Sequence, residues 1–154
     1  MEIQLAFYKG NDTVIDVAIQ NWSKSKYSHV EIVIDNTFYS SSPRDGGVRK
    51  KNINVNHDNW DFLTIQISDE LYIHAMNVFN EAEGMDYDWI GILFSQIMYI
   101  PIHHLYKYFC SELCAEMLDI CDPYLYHPGM LYEYLLKKIN RNDENEVRLF
   151  NVRC

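Results

Sequence analysis

Positive charge is scarce in this chain: 13 Lys and Arg stand against 22 Asp and Glu in 154 residues, a formal net charge of −9. A protein that binds nucleic acid by neutralising phosphates needs the opposite balance, and so does one that docks electrostatically on an anionic membrane. Neither partner is expected. Long apolar runs are also missing. The longest, Trp89 to Ile102, is interrupted by Ser95, Gln96 and Pro101 and is too short to span a bilayer, so it is expected as a buried segment. Met1-Glu2-Ile3-Gln4 has no basic region followed by an apolar stretch. No secretory signal is therefore expected, and the location expected is cytoplasmic. Without export, the four cysteines are expected as thiols rather than disulfides. There is no internal repeat and no low-complexity tract. The patterns G-x-x-x-x-G-K, G-x-G-x-x-G, H-E-x-x-H and G-x-S-x-G are all absent, which removes the common phosphate-binding, dinucleotide-binding, zinc-protease and serine-hydrolase signatures.

What is present suits one domain over residues 1–154, with 48% hydrophobic residues and 12 tyrosines. That length buries a core without metal or disulfide staples. Tyrosine suits clefts and interfaces, where an apolar ring needs one wet end.

Hydrophobic periodicity predicts the elements. Ile3 to Tyr8 reads as a strand. Asp12 or Thr13 caps a helix over Val14 to Trp22, with Val14, Ile15, Ala18 and Trp22 on one side. Ser28 to Asp35 alternates: Val30, Ile32 and Ile34 face one way, and His29, Glu31, Val33 and Asp35 face the other. A turn at Asp35-Asn36-Thr37 leads to a returning strand, Phe38 to Ser41, and then to a loop, Pro43 to Gly47. Phe62 to Ile67 is a further strand. Ser68 caps a helix carrying Leu71, Ala75, Val78, Phe79 and Ala82, with Gly84 as its stop. Helices are expected over Trp89 to Tyr99, Cys110 to Cys121, and Pro128 to Lys138; Asn140 to Glu146 is expected as a loop and Glu146 to Val152 as a last strand. Strands in the first half and helices in the second predict an α+β fold, a small antiparallel sheet packed against helices.

Two places carry chemistry. His29, on the strand face opposite the core, is fixed by a rigid element and open to a cleft. Cys110 follows Tyr108 and Phe109 at or near a helix start, where the dipole and free N–H groups stabilise a thiolate and a nearby histidine can take the proton. Cys114 and Cys121 read as small buried hydrophobes. A competing zinc reading draws on His103, His104, Cys110, Cys114, Cys121 and His127. Cys110-x₃-Cys114 supplies one ligand pair, but no second pair follows at a structural-zinc spacing.

Several segments in order resemble one family. They are Tyr27-Ser28-His29-Val30-Glu31, Tyr39-Ser40, Asp45-Gly46-Gly47-Val48-Arg49, Glu83-Gly84-Met85-Asp86-Tyr87-Asp88-Trp89-Ile90-Gly91 and Phe109-Cys110-Ser111-Glu112-Leu113. The set is similar to the circularly permuted NlpC/P60 (permuted papain-like) cysteine hydrolases, nearest their YiiX-like branch, which includes poxviral and phage members. The order is the specific part: strand histidine first, helix cysteine later. The resemblance implies Cys110 as nucleophile and His29 as base. The third, orienting group is Glu31 or one of Ser40, Ser41 and Ser42 on the following strand, with Glu31 preferred; it lies about 6.6 Å along the same strand face. The implied reaction is hydrolysis or acyl transfer at an amide, ester or thioester of a small-molecule, peptide or lipid substrate, with no metal or cofactor. The alternatives are an inactive member of the fold that acts as a binding module, or a zinc-stabilised interaction protein.

Overall fold

The computed structural model describes residues 1–55, 57–87 and 107–143. In chain order these form β1 (Glu2–Tyr8), α1 (Val14–Ser23), β2 (His29–Ile34), β3 (Thr37–Ser42), β4 (Gly47–Lys51), a 3₁₀ turn (His57–Asn59) and β5 (Trp60–Gln66). There follow α2 (Asp69–Ala82), β6 (Asp86–Tyr87), β7 (Lys107–Tyr108), α3 (Cys110–Met117), a second 3₁₀ turn (Pro123–Leu125) and α4 (Pro128–Asp143). The sheet order is β5-β1-β2-β3-β4-β6-β7. Neighbours from β5 to β6 are antiparallel, and only the two-residue β7 runs parallel to β6. The α+β architecture expected from the sequence is therefore present.

β2 and β3 are joined by Asp35 and Asn36, both at positive φ (47° and 62°). That is the geometry of a primed two-residue hairpin, which Asp and Asn tolerate. One face of the sheet packs against α2, α3 and α4: Leu5, Phe7, Val30 and Ile32 meet Phe79, Leu113, Met117, Leu131 and Leu135, all fully buried. The opposite face is covered as well. Ala6, Val33 and Phe38 lie under Ile53, Val55, Trp60 and Phe62. The alternation in β2 is therefore real, but both of its faces are enclosed.

α1 departs from expectation. Its start follows the predicted cap: Thr13 Oγ1 accepts from Asp16 N–H (3.2 Å), and Asp16 Oδ2 accepts from Thr13 N–H (3.1 Å). Its polar side then faces inward. Asp16 also accepts from Ser28 Oγ (3.0 Å) and Arg44 (2.6 Å), while Gln20 Nε2 donates to the carbonyls of Gly10 (2.8 Å) and Lys26 (2.9 Å). These bonds hold the helix by its polar face, so the side predicted to be buried is outward, with Val14 86% and Ile15 40% exposed.

Three further expectations change. Gly47 was expected to end a loop, with no element assigned to the residues after it; pairing with β3 makes Gly47–Lys51 a strand, although Gly-Val-Arg-Lys-Lys lacks apolar alternation. α3 ends at Met117 rather than at Cys121, since Asp119 and Asp122 take left-handed backbone (φ 54° and 52°). α4 runs to Asp143 and takes in Asn140 to Asp143, expected as loop. Trp89 to Ile102, His103, His104, the end of the polar loop and the expected last strand lie outside the described residues.

Gly47 opens β4 with φ +146°, and a Cβ there would overlap Met85 O, just ahead of β6. Gly47→Ala is expected to cost about 1–3 kcal/mol through backbone strain and lost pairing at this edge. The drop in urea midpoint checks this against Gly46→Ala, which shares a positive φ (+83°) but where a Cβ meets nothing within 4 Å, so the excess loss at Gly47 reports the clash.

Candidate active site

β2 delivers the first two site residues. Tyr27 and Ser28, just ahead of it, are pinned: Tyr27 Oη donates to Asp61 (2.7 Å), Ser28 N–H to Tyr8 O (3.0 Å), and Ser28 Oγ to Asp16. His29 then enters the sheet opposite Tyr8, with its ring edge-on to Trp60. Two residues on, Glu31 projects from the same face. His29 Nε2 and Glu31 Oε1 are 3.1 Å apart.

Cys110 arrives from the other direction, as the first residue of α3. Phe109 precedes it in extended backbone (φ −101°, ψ 164°) and makes no side-chain cap. A phenyl ring offers no acceptor, so the side chain at this position cannot cap the helix. The helix is placed by burial of Leu113, Cys114 and Met117 and by Ser41 Oγ, which donates to Tyr108 O (2.6 Å). Cys110 and His29 lie close enough to interact electrostatically. With Nε2 occupied by Glu31, Nδ1 is the ring nitrogen left to exchange a proton with the thiol.

Glu31 is also the partner of a residue the sequence reading did not single out. Arg49, on β4, donates through Nη1 to Oε2 (2.7 Å) and through Nη2 to Oε1 (2.9 Å). The reach is a matter of register. Ile32 pairs with Tyr39 and Ser40 with Arg49, which lines up Glu31, Ser40 and Arg49 across three neighbouring strands. The small Ser40 lets the guanidinium pass over it. Arg49 Nε in turn donates to Asp45 (2.7 Å), which Lys51 also holds (2.7 Å). The only signal for Arg49 in the sequence was its place in Asp45-Gly46-Gly47-Val48-Arg49.

The electrostatics follow from burial. Burial disfavours charge on His29, yet the interactions with Cys110 and Glu31 outweigh it and raise its pKa to about 10. Burial pushes the Glu31 carboxyl up, and the hydrogen bonds from His29 and Arg49 overcome this, leaving it at about 2. Burial holds the Cys114 thiol well above the ordinary range, and its Sγ lies 3.8 Å from Val30 O. Cys110 and Cys114 are free thiols.

The three serines are occupied differently. Ser40 Oγ donates to Val30 O (2.8 Å), Ser41 Oγ to Tyr108 O, and Ser42 lines a cleft. That cleft, about 410 Å³, is lined by Ile15 and Ile19 of α1, by Arg44 and Trp60, and by His29 and Glu31. Cys110 is 3% exposed and is not part of the cleft wall. Among the described residues no group of three His, Cys, Asp or Glu side chains is arranged to hold a metal. No helix among them is long and apolar enough to cross a membrane.

No protein-family model matches the chain, and no curated protein matches it.

The pH dependence of stability follows. A carboxyl lowered from 4.5 to about 2 by folding contributes stability that is complete above pH 4.5 and is lost as pH falls toward 2. At Glu31 this is roughly 3 kcal/mol. Urea unfolding from pH 5 to pH 2.5 is expected to show that loss in the wild type and a flatter profile in Glu31→Gln. The shift at His29 is largely the same interaction seen from its partner and is not added; its stabilisation is complete below pH 6.5 and fades as pH rises toward 10.

Proposed function

We propose that the protein is a cysteine hydrolase or acyltransferase of the permuted papain-like NlpC/P60 type. The observation that carries the reading is the line Cys110–His29–Glu31: a thiol at a helix start, within electrostatic reach of a strand histidine whose Nε2 faces a buried carboxylate. This is the nucleophile, base and orienting group that thiol acyl transfer requires. The sheet-and-helix arrangement, with the strand histidine preceding the helix cysteine in the chain, supports the same reading.

His29 takes the Cys110 proton and holds it as an imidazolium, with Glu31 balancing the charge. The thiolate attacks the carbonyl carbon of an amide, ester or thioester. The backbone N–H of Cys110, at the start of α3, is a donor for the oxyanion. His29 returns its proton to the leaving group. Water or another acceptor, deprotonated by His29, then releases the acyl group and regenerates the thiol. The reaction calls for no metal or cofactor. Peptide, small-molecule and lipid substrates all fit this chemistry. An inactive relative that only binds would share the fold without the reactivity.

A small cysteine-directed alkylating reagent with intact-mass analysis separates these readings. One fast adduct is expected, mapping to Cys110 and lost in Cys110→Ser. His29→Ala is expected to slow it by ~10²-fold, in the range of a lost proton acceptor. Glu31→Gln should slow it by ~10 to 100-fold, less than the ~10⁴-fold loss of turnover seen when a triad loses its orienting carboxylate, because alkylation needs only the thiolate. Alanine at Ser40, Ser41 or Ser42 should change it little. Equal, slow labelling of Cys110 and Cys114 would instead mark a binding module.

A further inference from the structure

We propose that Arg49 is a positioning residue of this site, clamping both oxygens of Glu31 so that the carboxylate stays ionised and turned toward His29. The proposal rests on the cysteine-hydrolase reading and deepens it.

The geometry is specific. The guanidinium meets Oε2 at 2.7 Å and Oε1 at 2.9 Å, and Oε1 is the oxygen that faces His29 Nε2 at 3.1 Å. A fork on both oxygens fixes the carboxylate plane, which a single ammonium cannot do. The side chains are 14% (Arg49) and 3% (Glu31) exposed, so water does not substitute for either. Arg49 is steadied from outside by Asp45 at 2.7 Å.

The ionisable surroundings are few. On its own strand Glu31 faces His29, and from β4 it faces Arg49. From α3 come Cys110, through His29, and Cys114. On β1 its register partner is Ala6, which carries no charge, and Tyr8 stands opposite His29. From β3 the intervening residue is Ser40. Asp45 and Lys51 act one step out, through Arg49.

Removing Arg49 leaves the buried carboxylate opposed by desolvation and supported by His29 alone. Glu31 then takes a proton at higher pH. A neutral carboxyl supports the imidazolium less, so the ionic Cys110–His29 pair collapses earlier on the acid side. An arginine that merely ties β4 into the sheet would affect stability but leave this profile in place.

The test is the rate of Cys110 alkylation by iodoacetamide from pH 4 to pH 9 in the full chain. Arg49→Met is expected to move the acid-side midpoint up by about one pH unit or more, and Arg49→Lys by an intermediate amount. In the Glu31→Gln background Arg49→Met should add no further shift, because its effect passes through Glu31. Should Arg49→Met not fold, Arg49→Lys and the Glu31→Gln/Arg49→Met pair carry the comparison, since the pair leaves no unpaired buried carboxylate. Fast wild-type labelling with the wild-type midpoint kept in the Arg49 variants overturns the role given to Arg49 alone. So does an equal shift from Arg49→Met with and without Glu31. Slow, featureless labelling of wild-type Cys110 contradicts the hydrolase reading itself.

Discussion

A buried carboxylate is costly unless its charge is answered, and Glu31 is answered from two sides. His29 meets it along β2 and Arg49 across β3. That double pairing makes demands on the rest of the structure. β2, β3 and β4 must be in register, the residue between must be small, and the turn into β4 must bring Gly47 against β6. Ser40 fills the middle position, and its hydroxyl finishes on Val30 O rather than competing for the carboxylate. The carboxylate thus links sheet geometry to the protonation of a histidine, and through that histidine to Cys110.

The elements that were legible in the sequence are those whose pattern comes from one buried face. β2 showed its alternation, α2 its period from Leu71 to Ala82, and α3 its start at Cys110 because Phe109 lies outside the helical repeat. His29 and Glu31 could be placed on one strand face for the same reason. Arg49 could not. Gly-Val-Arg-Lys-Lys has no apolar alternation, and the partner that gives Arg49 meaning lies two strands away, a contact that local patterning does not encode. The three serines drew attention as possible orienting groups because the sequence showed which strand they occupied but not where each hydroxyl ended.

α1 misled for a different reason. Its apolar residues repeat at helical spacing, which ordinarily marks the buried side. Here the polar side carries more bonds: Asp16 binds Thr13, Ser28 and Arg44, and Gln20 binds two backbone carbonyls. Those bonds set the helix beside β2 with its charged residue inward, and Asp16 thereby fixes Ser28, the residue before His29. What looks like an inverted helix is thus part of how the histidine is held. The end of α3 misled through backbone conformation: left-handed Asp119 and Asp122 stop a helix whose apolar spacing continues to Cys121.

The central claim is that a shared, buried carboxylate keeps His29 charged beside Cys110 through the neutral range. The most direct measurement is an NMR titration of the His29 imidazole from pH 5 to pH 9, assigned by comparison with a His29→Gln protein. The account predicts ring nitrogens and ring protons that stay at imidazolium positions to beyond pH 8, in keeping with a pKa raised to about 10. A midpoint near 6.5, the value of an unperturbed histidine, would contradict it.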